Sequence, residues 1–333
     1  MKTPGELRSK INRLLKDFFA KKKKEGQKQG AYYQELIEQI ESITLRGGDK
    51  MRPLLVYYGY TAVNNKLTAN EENQLLAIAL CTELFHTACL IHDDVMDQSF
   101  TRRGGLTIHQ YFSQKYPTSS RQGGTSRGKQ NEKLGRDLAI LAGDLALVWS
   151  DEIFIDQKAR KYFNLLREEV IFGQQLDLIG VTDEKSILTM YEYKTAKYSF
   201  EGPIHIGLAL ADAPKEAFAV FSKYAINVGI AFQIRDDILG SFGDPKKTGK
   251  SNEDDLREQK NTLLVAYAKC KMKNVKRKID KKLLVSTGAL GGCEKLARRL
   301  VKEGKEGLKS YNISSEAKKF FLELADYVVE REE

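Results

Sequence analysis

The 333-residue chain holds only four cysteines, Cys81, Cys89, Cys270 and Cys293, and no CxxC pair. That spacing excludes a disulfide framework and a thiolate zinc site, and reads as small buried residues of a reducing compartment. The first twenty residues lack a continuous apolar stretch, so no secretory signal is expected. The longest apolar run, Leu75 to Ile91, is interrupted by Glu83 and His86. It falls short of a clean membrane span of about 20 residues, so the expectation is a soluble, cytoplasmic protein without stable membrane insertion. There is no convincing β-alternation, no fixed-period repeat, and no zinc-finger spacing or short basic recognition helix. Sheet folds, solenoids and nucleic-acid partners are therefore set aside.

What is present is an ordinary globular balance, 41% hydrophobic and 30% charged, with a net charge of +9 from 54 Lys+Arg against 45 Asp+Glu. The excess of cations invites an anionic partner, such as a phosphorylated small molecule. Apolar residues recur at helical spacing through 6–20, 32–43, 54–63, 71–92, 137–156, 158–180, 184–211 and 215–241, with further helices after a charged loop from Phe242 to Asn261. The expected fold class is all-α, a single domain over 1–333. Residues 116–133 are too polar and too long for an ordinary connection, and are expected to form a mobile surface loop or insertion.

Three carboxylates, Asp93, Asp94 and Asp97, close the helix of 71–92, and Gln98-Ser-Phe-Thr-Arg-Arg-Gly-Gly105 follows. Asp93 and Asp97 are spaced i, i+4 and share a face. Charge at the end of an apolar helix is costly unless compensated. Oxygen-only ligands point to a hard cation, magnesium above all, and Arg102 with Arg103 supplies an anion-binding half. The plain alternative is a solvated helix end whose acids pair with those arginines. The theme returns at Phe232-Gln-Ile-Arg-Asp-Asp237, again with basic residues downstream. Two such ends facing each other across a cavity would hold several magnesium ions and one diphosphate.

Taken together, these motifs resemble the trans-isoprenyl diphosphate synthases, the polyprenyl synthetase family. The resemblance covers roughly Leu45 to Leu264. It includes Asp93-Asp94-x-x-Asp97 with Arg102-Arg103-Gly104, Gly143-Asp144, Gly173-Gln174-x-x-Asp177, Lys194-Thr195, Phe232-Gln233 before Asp236-Asp237, and Lys250 and Lys260. It implies antiparallel helices around a deep apolar cavity, usually in a homodimer, and magnesium, three ions per site. Asp93 and Asp97, with Asp94 in the same motif, are the implied ligands of two ions, and Asp236 with Asp237 of the third. Arg102, Lys194 and Lys250 would hold the allylic diphosphate, with Lys260 a further substrate-binding lysine. Arg52, His86 and Arg103 would form a metal-free patch for isopentenyl diphosphate. Thr195 and Gln233 would border the reacting carbons.

The chain departs from the family pattern in two places. Asp49 stands where the family has Lys, and Lys50 where it has Arg, so either Lys50 reaches the diphosphate or isopentenyl diphosphate binds less tightly. Gly240 closes the second motif where many members have Asp. Product length in such proteins follows the helix bearing the first motif. Counting back from Asp93 meets the small Cys89 and Ala88, then Phe85 about 5.4 Å deeper as the first bulky floor. The expectation is geranylgeranyl diphosphate, C20, with farnesyl or longer products as alternatives. Two other readings stay open: a class I terpene cyclase and a non-catalytic regulatory subunit. The His92-Asp93 pair also looks like a phosphohydrolase metal motif, but the few remaining histidines do not complete one.

Overall fold

Helix α1 (Pro4–Gly26) starts where Thr3 and Glu6 form a capping box, and Leu7, Ile11, Leu15 and Phe19 line its buried face at strict i, i+4 spacing. The computed structural model describes residues 3–64, 66–116, 125–154, 156–243, 261–272 and 279–331. These divide into two compact units, Met1–Leu54 with Leu67–Asp156, and Leu55–Lys66 with Gln157–Glu333.

In the first unit α1 is followed by α2 (Ala31–Leu45), the first residues of α3 (Met51–Val63), and α4 (Ala69–Met96). A two-residue hairpin comes next, β1 (Thr101–Arg102) with β2 (Gly105–Leu106), then α5 (Ile108–Lys115) and α6 (Thr125–Ile153). The long helix α4 begins on a Thr68–Glu71 capping box and packs mainly on α6. Leu76, Ala79, Leu84, Ala88 and Ile91 of α4 are sealed from water. Each large aliphatic side chain so buried contributes about 1.5–3 kcal/mol, which offsets the charge carried at the helix end.

The second unit holds the rest of α3, α7 (Gln157–Ile179), α8 (Glu184–Tyr191), a π-helical stretch (Glu192–Glu201), α9 (Gly202–Leu210) and α10 (Lys215–Phe242). Helices Leu263–Cys270, Lys281–Ser286, Ala289–Ser310 and Ser315–Glu330 follow. Helix α10 packs on Ala289–Ser310 and on the π stretch, and the π stretch also rests on α7. Phe163, Phe200, Phe221, Tyr224 and Phe321 form its aromatic core.

The all-α expectation holds, with three local differences. Residues 125–133, expected in a loop, open helix α6, where Lys133 pairs with Asp137 at i, i+4 and 2.6 Å; residues 117–124 of that expected insertion lie outside the described part. The helix expected over 184–211 is widened at its centre by the π stretch. The hairpin is too short to show as alternation in the sequence. Among the described residues two helices, α4 and α10, are long and apolar enough by composition to cross a membrane, and 67% and 44% of their most apolar windows are buried inside the protein.

Candidate active site

Helix α4 stops where the Asp97 N–H donates to the Asp93 carbonyl at 2.8 Å. Its last turn therefore carries three carboxylates at the negative end of the helix dipole, where they are disfavoured without a cation. The hairpin brings one. Arg102 donates from Nε to Asp94 Oδ1 at 2.8 Å and from Nη2 to Asp93 Oδ2 at 3.2 Å. Asp94 is 1% exposed, and burial pushes its carboxyl up to about 6 against the pull of Arg102. Its Oδ2 is buried without a hydrogen bond among the described residues.

Among the described residues, no three Asp, Glu, His or Cys side chains converge as a ready-made metal cage. Magnesium does not require one, because it keeps water and takes one or two carboxylates together with substrate phosphates. The oxygen-only set of Asp93, the exposed Asp97 and the orphaned Asp94 oxygen fits that ion.

Further back along α4, partly exposed His86 lies within a cationic cluster. Loss of solvation first, then Arg52, Arg103, Lys50 and Arg102, holds its pKa well below the usual histidine value, so it is neutral. Arg103, at a left-handed φ of 51°, donates to the Ile43 carbonyl at 3.2 Å. Arg46, at the end of α2, reaches the Leu106 carbonyl at 3.2 Å and feels the charge of Asp94. Several cations held around a neutral imidazole make an anion site.

Lys50 does not stand where its expected role needs it. Its ammonium donates to the Thr44 carbonyl at 2.7 Å, the Gly47 carbonyl at 3.3 Å and Glu83 at 2.9 Å. Those three bonds use all three of its protons, so Lys50 is turned inward rather than towards a diphosphate. Asp49 is exposed and lies 3.8 Å from Arg8. Of the three residues expected to set product length, Ala88 and Phe85 are buried on α4 and Cys89 is half-buried. His92 packs on Gly143, where a Cβ would overlap the imidazole, and its Nε2 lies 3.5 Å from Asp144. That close approach explains the Gly143-Asp144 pair.

In the second unit the π stretch and α10 assemble the other acidic end. Thr195 Oγ1 donates to Gln233 Oε1 at 2.6 Å, and Gln233 Nε2 donates to Asp237 Oδ1 at 3.0 Å. The Tyr191 hydroxyl donates to Asp237 Oδ2 and accepts the Leu263 N–H at 2.8 Å. Both Asp237 oxygens thus accept a hydrogen bond from the protein. Asp236 is 44% exposed and pairs through Oδ1 with Arg331. Lys194 bonds Asp177 at 2.5 Å. Gly173, one turn before Asp177, lets α7 press against the backbone of Lys194, which a Cβ would overlap. A π stretch adds a residue per turn and is frequent at functional sites.

The structure brings Asp93, Asp94, Asp97 and Arg102 together in the first unit, beside the cluster of Arg52, His86 and Arg103. It brings Thr195, Gln233 and Asp237 together in the second, with Lys194 and Asp236 beside them in sequence but bonded to Asp177 and Arg331. Lys250 and Lys260 lie outside the described residues. Arg46, Glu83, Tyr191 and Arg331 were missed. Arg46 stands directly before the Gly47-Gly48 break and could have been found there, whereas nothing marks Arg331, 95 residues from its partner.

The family model described as Polyprenyl synthetase matches residues 33–291. A geranylfarnesyl diphosphate synthase of Aeropyrum pernix is 32% identical over 318 residues, covering 86% of this chain and 91% of that protein. A geranylgeranyl diphosphate synthase of Methanosarcina mazei is 29% identical over 322 residues, 90% of each. A geranylgeranyl pyrophosphate synthase of Corynebacterium glutamicum, solved with isoprenyl diphosphate and magnesium, superposes with a TM-score of 0.88 at 28% identity, covering 99% of this chain and 100% of that one.

Proposed function

Since the chain belongs to the polyprenyl synthetase family and is a transferase of prenyl groups, we propose that it elongates an allylic diphosphate with isopentenyl diphosphate to the C20 product, geranylgeranyl diphosphate. The proposed magnesium ligands are Asp93 and Asp97 of the first unit and Asp236 of the second. When bound, the ions supply positive charge to the diphosphate as its allylic C–O bond ionises. Arg102 adds a fixed cation there, and Asp94 anchors Arg102. Arg52, Arg103 and neutral His86 hold isopentenyl diphosphate, with Arg46 beside them. Thr195 and Gln233 border the reacting carbons, and Lys194 is oriented by Asp177 towards the allylic substrate. The departing diphosphate takes the proton lost after carbon–carbon bond formation, so no side chain has to act as general base. The observation that carries this reading is Arg102 bridging Asp93 and Asp94 immediately beside the cationic cluster of His86.

Phe85, buried at 3% exposure two turns before Asp93, is the proposed floor that stops growth at C20. A homodimer is proposed on the exposed apolar side chains each unit carries: Ile140, Leu141 and Val148 on α6, and Ile171, Leu178 and Ile179 on α7. The cytoplasm is the proposed location.

Purified chain with magnesium, farnesyl diphosphate and labelled isopentenyl diphosphate tests the proposal. The expected result is a C20 diphosphate. A cyclic hydrocarbon, or no product without a second protein, would replace this reading with a cyclase or a regulatory subunit.

A further inference from the structure

The last described residue, Arg331, is gripped by one turn of α10. Its backbone carbonyl accepts from Arg235 Nε at 3.0 Å and Nη2 at 2.8 Å. Its guanidinium lies 3.8 Å from the centre of the Phe232 ring, donates to the Phe232 carbonyl at 3.2 Å and pairs with Asp236 Oδ1. The Arg331 side chain is 8% exposed while that of Asp236 is 44% exposed.

An ordinary surface ion pair contributes little because two long side chains must be ordered to form it. Here the ordering is done in advance. The aromatic face and the Phe232 carbonyl hold the guanidinium, and the Arg235 clamp holds the backbone that carries it, whatever Asp236 does. Asp236 therefore meets a stationary Nη2 that takes one carboxylate oxygen and leaves the other as the available donor. Its neighbour Asp237 differs, with both oxygens already held by Tyr191 and Gln233.

We infer that Arg331 is a positioning residue for Asp236: the end of the C-terminal helix fixes the orientation of the carboxylate through which the second acidic motif binds magnesium. The inference rests on the reading of Asp236 as a magnesium ligand. A partner that orients a ligating carboxylate typically changes metal affinity by about ten-fold or more when removed. Arg331 also ties the Ser315–Glu330 helix to the second acidic motif, so loss of that helix would be felt as a changed demand for metal.

The test uses the full chain as Arg331→Gln, Arg331→Lys and Asp236→Asn. Two quantities are read for each: the magnesium concentration giving half-maximal elongation, and calorimetric binding of magnesium in the presence of inorganic pyrophosphate without prenyl substrate. Arg331→Gln is expected to raise the half-maximal magnesium concentration roughly ten-fold and to weaken calorimetric binding alike. Its kcat at saturating magnesium should stay close to that of the unaltered chain. Arg331→Lys, which keeps the charge but not the flat guanidinium that lies on the Phe232 ring, is expected to fall between the two. A lowered melting temperature with unchanged magnesium demand would make Arg331 merely structural and overturn the inference. If Arg331→Gln fails to fold, unchanged magnesium demand in Arg331→Lys overturns it equally. Unchanged magnesium binding in Asp236→Asn would instead overturn the reading of Asp236 itself.

Discussion

The Lys50 ammonium lies 2.9 Å from the Glu83 carboxylate, and the two side chains are 1% and 3% exposed. A buried pair of this kind contributes little in itself, but leaving one member alone is costly. It fastens the second residue after the Gly47-Gly48 break to the middle of α4. Lys50 is itself one of the cations acting on His86.

Glu83→Gln should therefore destabilise the chain by about 3–5 kcal/mol by stranding a buried ammonium. Denaturant unfolding checks it. The double variant Lys50→Met/Glu83→Leu should lose much less than the single, because no charge is left behind. Equal losses in both would mean the pair is not insulated from water.

The two adjacent acids of α10 should separate by function. Asp236→Asn is expected to lower elongation by at least about 100-fold at limiting magnesium, as for the loss of one group stabilising a transition state. Asp237→Asn should shift magnesium demand far less, but should loosen the Tyr191–Leu263 link and lower the melting temperature. Magnesium titrations and melting curves on both variants distinguish the roles.

Histidine protonation sets an acid limb for stability. His86 is held well below its usual pKa by desolvation and four cations, and burial also lowers His109 and His205. The unfolded chain then binds protons that the folded chain does not, so stability is lost as pH falls below about 6.5 and is regained above it. Each such group contributes a slope of at most about 1.4 kcal/mol per pH unit. His86→Gln should flatten the limb by one proton, measured as the pH dependence of unfolding between about pH 5 and 7.

Phe85→Ala should lengthen the product beyond C20 by at least one isoprene unit, seen by chromatography of the dephosphorylated products. Removing a buried ring also costs about 3–5 kcal/mol, so the assay belongs well below the melting temperature of the variant. An unaltered chain length would place the floor elsewhere.

The sequence showed the helices because long amphipathic or wholly apolar runs have one physical solution. It showed the acidic motifs because carboxylates at the end of a buried helix need a reason. The direction of Lys50 was not legible. A cation after two glycines looks available to a ligand, and only the fold reveals that Glu83 lies beneath it. The engagement of Asp237 and the partnership of Asp236 with Arg331 are tertiary contacts between distant residues, with no local signature. The helix over 125–133 was hidden by a composition typical of loops, because its polar and charged residues carry no apolar stripe.

The widened stretch at Glu192–Glu201 has a consequence for how this chain can change. Deleting one residue there without a change of winding would rotate Gly202–Leu210 by roughly a quarter of a turn relative to Lys194 and Thr195. Either the buried face of that following segment or the catalytic pair would then point the wrong way. Insertions and deletions should accordingly be forbidden in these ten positions, and point changes tolerable only away from Lys194 and Thr195, making their number as much a heritable constraint as their identity.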